Sequence, residues 1–245
     1  MAKHGDMKTA ILALTCGRPE MTVETWRNNF ANHGAGEVRV FWFDNGSTPD
    51  ELAMMMEEAA KWRFAFTQFE TQNKGIAYAL NWMMKAAFAT GAHAVATMAN
   101  DIKEPAGWLD FRIRAAKDIY HTGVVAVAVD QSTRYPPKHV NGWMIEEGTV
   151  IGNWLITRDV YDAIGGFCMD YGTYGPIDID YCERMKAAGW RYYYLHDLYA
   201  DHIGQKEANP AQYQAEKNAS LNKSWEVYKR NLKLYRQGKN VYQHD

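Results

Sequence analysis

Four short polar stretches stand out for what their side chains can hold. They are Thr15-Cys16-Gly17-Arg18, Asp44-Asn45-Gly46-Ser47-Thr48, Asn73-Lys74-Gly75 with Asn81 a turn and a half further on, and Asn100-Asp101. Hydroxyls, carboxamides, a guanidinium and carboxylates suit a polar ligand rich in hydroxyl or charged groups. Taken singly, each stretch is also ordinary turn chemistry, because Asn-Gly and Asp-Asn favour tight turns. Two more acids, Asp178 and Asp180, stand at the start of a helical pattern. The N-terminus of a helix stabilises negative charge and keeps such a carboxylate ionised at neutral pH.

The elements between these stretches give them a common position. Short apolar runs at Thr9–Thr15, Val38–Phe43, Phe64–Phe69, Ala94–Met98 and Val124–Val129 read as strands. Helical patterns over Met21–Asn32, Pro49–Lys61, Ile76–Ala89 and Trp108–Tyr120 fall between them, with Pro19 and Pro49 at the starts and Gly91 at a stop. Such alternation predicts a mostly parallel sheet with helices on both faces. A sheet of this kind binds ligands beyond the carboxyl ends of its strands, and each of the four polar stretches follows a strand. The pattern fails between Asp130 and Thr149, where Pro136, Pro137, Gly142 and Gly148 mark a long loop. It resumes with a strand over Val150–Thr157, a helix over Asp178–Ala188 and a strand over Trp190–Leu195. At the C-terminus Leu221, Trp225, Tyr228, Leu232 and Tyr235 alternate by four and three, the stripe of one amphipathic helix.

Composition sets the outer limits. The chain has 245 residues, 47% hydrophobic and 23% charged, which excludes disordered and fibrous classes. Its formal charge of -2 is unevenly spread. Residues 217–245 hold seven Lys and Arg against two acids, or +5; the remainder holds twenty bases against twenty-seven acids, or -7. Three cysteines, Cys16, Cys168 and Cys182, lack Cys-x-x-Cys spacing, which points to a reducing compartment and no structural zinc. No apolar run reaches the roughly 20 residues of a membrane span. A soluble, cytoplasmic protein is the expectation.

Seven motifs in order resemble glycosyltransferase family 2, whose members have the GT-A fold. They are Leu14-Thr15-Cys16-Gly17-Arg18, Phe43-Asp44-Asn45-Gly46-Ser47-Thr48, Asn73-Lys74-Gly75 running to Asn81, Ala99-Asn100-Asp101-Ile102, Gly165-Gly166-Phe167, Asp178-Ile179-Asp180-Tyr181-Cys182 with Arg184, and His202. The resemblance covers about residues 9–204. It implies an α/β, Rossmann-like GT-A domain over 1–204, with residues 205–245 as a basic amphipathic helical extension.

The resemblance also implies roles. Asp44 would hydrogen-bond the uracil or ribose of a nucleotide-sugar, beside Thr15, Gly17 and Arg18. Asn45, Asn73, Gly75, Asn81 and Asn100 would make further nucleotide contacts. The family's Asp-x-Asp metal motif here reads Ala99-Asn100-Asp101, so its first acid is missing. Asp101 would bind Mn²⁺ or Mg²⁺ with His202, the metal neutralising a diphosphate leaving group. Asp178 would be the base that deprotonates the acceptor, although the Glu that precedes it in the family is Ile177 here. Trp143, Trp154 and Asp180 fall where the family faces its acceptor; flat rings stack on sugars or bases, and core packing is the competing reading for each tryptophan. Glu146 and Glu147 read as solvated loop charges.

The implied activity is metal-dependent, inverting transfer of a hexose-type sugar from a UDP- or dTDP-linked donor to an acceptor hydroxyl. The acceptor, whether glycan, lipid carrier, protein or modified nucleic acid, stays open. A non-catalytic sugar- or nucleotide-binding module is the alternative, and a nucleotidyltransferase a weaker one, because Cys16-Gly17-Arg18-Pro19 is a poor phosphate loop. The C-terminal helix can pack back on the domain, join two copies of the chain, or meet an anionic surface.

Overall fold

A computed structural model describes residues 7–119, 121–128, 136–148, 153–205 and 211–239. Its first half alternates strand and helix: β1 (Thr9–Thr15), α1 (Pro19–Ala31), β2 (Arg39–Asn45), α2 (Pro49–Ala59), β3 (Phe64–Glu70), α3 (Ile76–Ala89) and β4 (Ala94–Met98). A two-residue strand β5 (Ile102–Lys103), helix α4 (Trp108–Asp118) and strand β6 (Thr122–Ala128) follow. Then come β7 (Lys138–Val140), β8 (Trp143–Glu147), β9 (Leu155–Thr157), α5 (Arg158–Ile164), a 3₁₀ turn at Met169–Tyr171, α6 (Ile177–Ala187), β10 (Arg191–Tyr199), β11 (Asp201–His202) and α7 (Ala211–Tyr235).

The nine-stranded sheet has the order β3-β2-β1-β4-β9-β6-β10-β8-β7. β1, β2, β3 and β4 run parallel, and β9 is antiparallel to both β4 and β6, so β6 and its parallel partner β10 point the same way as the first four. β1 and β4 are buried along nearly their whole length, as central strands covered on both faces are. One face packs on α3, α5 and α6 through Leu12, Phe43, Met83, Ile156 and Tyr181. The other packs on α1, α2 and α4 through Ile11, Trp26, Trp42, Met55 and Trp108. This is the mostly parallel α/β architecture expected, with helices on both faces. No helix among the described residues is long and apolar enough to cross a membrane.

Three departures have physical causes. The segment read as a long loop contains the hairpin β7–β8, turned by Asn141 and Gly142 at φ 51° and 87°. Two left-handed residues in sequence suit the twist of a hairpin, and Asn-Gly is the pair that tolerates them. Trp190–Leu195 continues as β10 to Tyr199, pairing with β6 along the way. The face of α7 that is buried departs from the apolar stripe: of the stripe Tyr235 is buried, together with the polar Ser224 and Asn231, whereas Trp225 stays 39% exposed. The predicted strand start at 150–152, Tyr120 and Val129 lie outside the described residues, as does part of the long loop.

Candidate functional site

β1 and β2 deliver the first two polar stretches side by side, with Thr15 paired in register to Asp44. Thr15 Oγ1 donates to Asp44 Oδ2 at 2.8 Å and accepts from Trp42 Nε1 at 2.9 Å. Asp44 also accepts from Gly46 N–H, Ser47 N–H and Ser47 Oγ, the last at 2.6 Å. Its carboxylate is therefore buried and met from within the protein, the pattern of an acid that builds a turn. Ser47 Oγ accepts in turn from Gly17 N–H at 2.8 Å, tying the β1–α1 loop to the β2–α2 loop.

Gly17 and Arg18 have φ of 63° and 55°. A left-handed arginine is uncommon and is held only where the surroundings over-determine it. The Cys16 thiol is pushed above its ordinary value although the residue lies at the surface, first by desolvation and then by the charges of Asp44 and Glu51. That suits an inert thiol rather than a nucleophile.

The third stretch is pinned in the same manner. Asn73 Oδ1 accepts from Asn45 Nδ2 at 2.9 Å and Gly75 N–H at 2.8 Å, and Lys74 N–H donates to Asn45 Oδ1 at 2.9 Å. Gly75 has φ 96°, and a Cβ there would sit 2.4 Å from the Gly172 carbonyl oxygen. Its smallness thus serves contact between the loop before α3 and the segment before α6. Asn81 grips the backbone of Phe167 at both ends, donating to its carbonyl at 2.8 Å and accepting its N–H at 2.6 Å. Thr15, Asp44, Asn45, Asn73 and Asn81 are thus occupied in positioning the loops.

The groups left facing outward gather around Asp101. The two-stranded ribbon of β5 and β11 pairs His202 with Ile102, next to Asp101 in the chain. His202 Nε2 lies 3.5 Å and Arg18 Nη1 3.4 Å from Asp101 Oδ2. A Cβ on Gly204 would come within 2.3 Å of that same oxygen, so glycine leaves the carboxylate its place. Asn100, at the middle position of the Asp-x-Asp motif, donates to Thr22 Oγ1 at 3.0 Å and Gly17 O at 3.4 Å. Its amide fastens the end of β4 to the β1–α1 loop.

A carboxylate and an imidazole 3.5 Å apart suit one divalent ion, since neighbouring ligands of an octahedral site lie about 3 Å apart. Among the described residues no third His, Cys, Asp or Glu joins them. An ion there would draw its remaining oxygens from ligand and water.

Sequence reasoning missed the base on which this cluster stands. Glu104, buried, forms an ion pair with buried Arg112 at 2.8 Å and accepts from Asn153 Nδ2 at 2.7 Å. Asn153 Oδ1 accepts from Ala99 N–H at 2.7 Å, and Asn29 Oδ1 from Glu104 N–H at 2.8 Å. The loop carrying Asp101 is therefore fixed from below at both sides. A buried acid needs such partners, but the partners stand as far as 75 residues away in sequence, where no local pattern reveals them.

The remaining candidates separate by burial. Asp178 lies in the first turn of α6, partly exposed, with Ile179 N–H donating to its Oδ1 at 2.9 Å. Asp180 is fully buried: Arg184 Nε donates to Oδ2 at 3.1 Å, and Tyr171 and Tyr235 hydroxyls donate to Oδ1 at 2.7 and 2.8 Å. Burial and the Asp180 charge push the Tyr171 hydroxyl far above its ordinary value, so it stays a donor. Trp154 is buried against Phe167 and Tyr181. Trp143 is buried against Phe111, its indole donating to Asp118. These rings and Asp180 serve the core, because their faces and oxygens are already covered. Glu146 corrects another expectation: it is buried in β8 and paired with His196 Nε2 at 2.8 Å, while Glu147 is partly exposed and pairs with Lys138 and Arg191. Alternation along a strand sends neighbouring residues to opposite faces.

No family model matches the sequence, and no curated protein matches it. Solved structures do match in fold. The mannosyltransferase PcManGT from Pyrobaculum calidifontis, in complex with GDP-Man and Mn²⁺, superposes with a TM-score of 0.63 at 15% identity, over 96% of this chain and 74% of its own. GalNAc-T7 with UDP, GalNAc and Mn²⁺ superposes at 0.61 with 10% identity, over 82% of this chain and 44% of its own. TarS from S. aureus superposes at 0.56 with 17% identity, over 80% of this chain and 37% of its own. The chain has the GT-A glycosyltransferase fold.

Proposed function

We propose that this protein transfers a sugar from a nucleotide diphosphate sugar, UDP- or dTDP-linked, to an acceptor hydroxyl, with inversion and with a divalent metal. The observation that carries the reading is the meeting of Asp101, His202 and Arg18 beyond the carboxyl ends of β1 and β4. A crevice at that point, where the strand order reverses on either side of β1, is where open α/β sheets bind nucleotides.

In this reading Asp101 and His202 hold the ion. Mn²⁺ or Mg²⁺ there would supply charge to neutralise the departing diphosphate. Arg18, freed from Asp101, pairs with phosphate oxygens. The backbone of Gly17 and Arg18 faces the nucleoside, and Asp44 reaches it where a ligand hydroxyl replaces that of Ser47. Asp178 takes the proton from the acceptor hydroxyl as that oxygen bonds to the anomeric carbon and the bond from that carbon to the diphosphate breaks.

A panel of sugar nucleotides with Mn²⁺, scored by release of the nucleotide diphosphate, tests donor and activity together. Asp178→Asn is expected to lower turnover about a hundredfold or more, as loss of a general base does, with UDP affinity retained. Full activity in that variant removes Asp178 from the role. The second reading, a binding module without turnover, draws on Ala99, which stands where the resembled family has the first acid of its metal motif, and on Ile177, which stands where it has a Glu. UDP binding strengthened by Mn²⁺, with no turnover of any donor, favours the module.

A further inference from the structure

The segment before α6 and the C-terminal helix enclose a groove of about 400 Å³. Asp170, Gly172 and Thr173 form one wall, and Ser220, Lys223 and Val227 of α7 the other. Ser220 Oγ donates to the Tyr174 carbonyl at 2.6 Å, and Ser224 Oγ, whose shortest acceptor is the Ser220 carbonyl at 2.7 Å, lies 3.0 Å and 3.2 Å from the Tyr174 and Tyr171 carbonyls, so α7 is tied to this segment by serine hydroxyls. A Cβ on Gly175 would lie 2.9 Å from Ser224 Oγ, which shows how closely the helix lies on the chain three residues before Asp178. On the other side, Gly172 and Thr173 back directly onto Gly75, in the loop before α3. The groove therefore lies against the chain that leads to Asp178 and against one of the loops at the sheet edge.

Its charge is distinctive. Asp170 is met by Arg230 at 2.6 Å, Lys229 by Glu226 at 2.7 Å, and Lys217 lies over the Tyr174 ring at 4.6 Å. Among the described residues Lys223 has no acidic partner. A cation left over in a groove otherwise lined by hydroxyl, backbone and one neutralised acid asks for an anion. The volume falls in the range of small-molecule sites and accommodates a hexose with a substituent.

We propose that this groove is the acceptor subsite and that it takes a hydroxyl-rich acceptor carrying an anionic group, a sugar phosphate or a uronic acid, with Lys223 on the anion. The assignment rests on the glycosyl-transfer reading and deepens it. It also gives the basic C-terminal segment a role, since α7 supplies the wall and charge that select the acceptor.

The test titrates the full chain, with and without saturating UDP and Mn²⁺, with glucose 6-phosphate, glucuronate and glucose, followed by NMR. At least one anionic arm binds in the presence of UDP, and which one binds identifies the source of the charge. Glucose binds roughly tenfold more weakly or worse, and Lys223→Ala and Lys223→Glu weaken the anionic arm by roughly ten- to hundredfold, the worth of a charge-assisted hydrogen bond. Lys229→Ala, on the same helix, binds as the wild type does. Equal binding of glucose, an unaffected Lys223→Glu, or displacement of the sugar phosphate by UDP overturns the groove. UDP binding without anionic-sugar binding overturns the groove alone. Lys223-dependent sugar binding in a chain that does not bind UDP overturns the glycosyl-transfer reading and leaves an anionic-sugar site.

Discussion

Asp101 meets Arg18 and His202 at 3.4 and 3.5 Å, with 21% of its side chain in solvent. Asp180 meets Arg184 at 3.1 Å with its side chain closed off, and two tyrosine hydroxyls fill its other oxygen. Both are acids beside an arginine. The first keeps long contacts and open lone pairs, so its charge remains available to a ligand. The second has spent its hydrogen-bonding capacity on its neighbours, and what it gains is the attachment of α7 and the 3₁₀ turn to α6. An ion pair near a site is thus better judged by what it leaves unsatisfied than by how short it is.

Breaking the buried pair should have the larger effect on stability. Asp180→Ala leaves Arg184 buried without its carboxylate and costs about 3–5 kcal/mol, read as a shift of the urea midpoint. A midpoint within experimental scatter of wild type would show that Asp180 holds nothing together. Asp101→Asn should do the reverse: stability changes by less than about 1 kcal/mol, in the range of partly exposed substitutions, while Mn²⁺ no longer strengthens UDP binding in calorimetry. Undiminished Mn²⁺ dependence would move the metal away from Asp101. An intermediate loss of stability on the buried side sharpens the contrast. Tyr235→Phe deletes one donor to a buried carboxylate and costs about 1.5–3 kcal/mol, with UDP binding unchanged. If that variant lost UDP affinity instead, the two regions would be one.

Legibility in the sequence followed the range of the interactions. β1, α3 and β4 begin and end where read, because a continuous apolar run or a glycine stop marks them locally. Asp101 and His202 were paired by motif order, and the β5–β11 ribbon brings them together. Asp180 read as a site residue because its helix-start position resembles that of Asp178; two of its partners, Asn231 and Tyr235, stand 51 and 55 residues away on α7, and nothing local to Asp180 marks them. Core packing, the reading that competed with acceptor stacking for Trp143 and Trp154, is what the structure gives both rings; the hairpin that buries Trp143 went unrecognised, although Asn141-Gly142 was the signal for it. Glu146 lost its buried partner His196 for the same reason.

The β5–β11 ribbon holds a consequence for order in the chain. Only two residues pair on each side, joining Lys103 to Asp201 and Ile102 to His202 across nearly a hundred positions. So short a ribbon opens easily by itself, as elements with few contacts do. A ligand gripping Asp101 and His202 together acts as a rivet through both ribs, and its binding free energy adds to theirs by mass action. Occupancy of the site and closure of this part of the backbone are therefore one equilibrium, and amide exchange along the ribbon reports how full the site is.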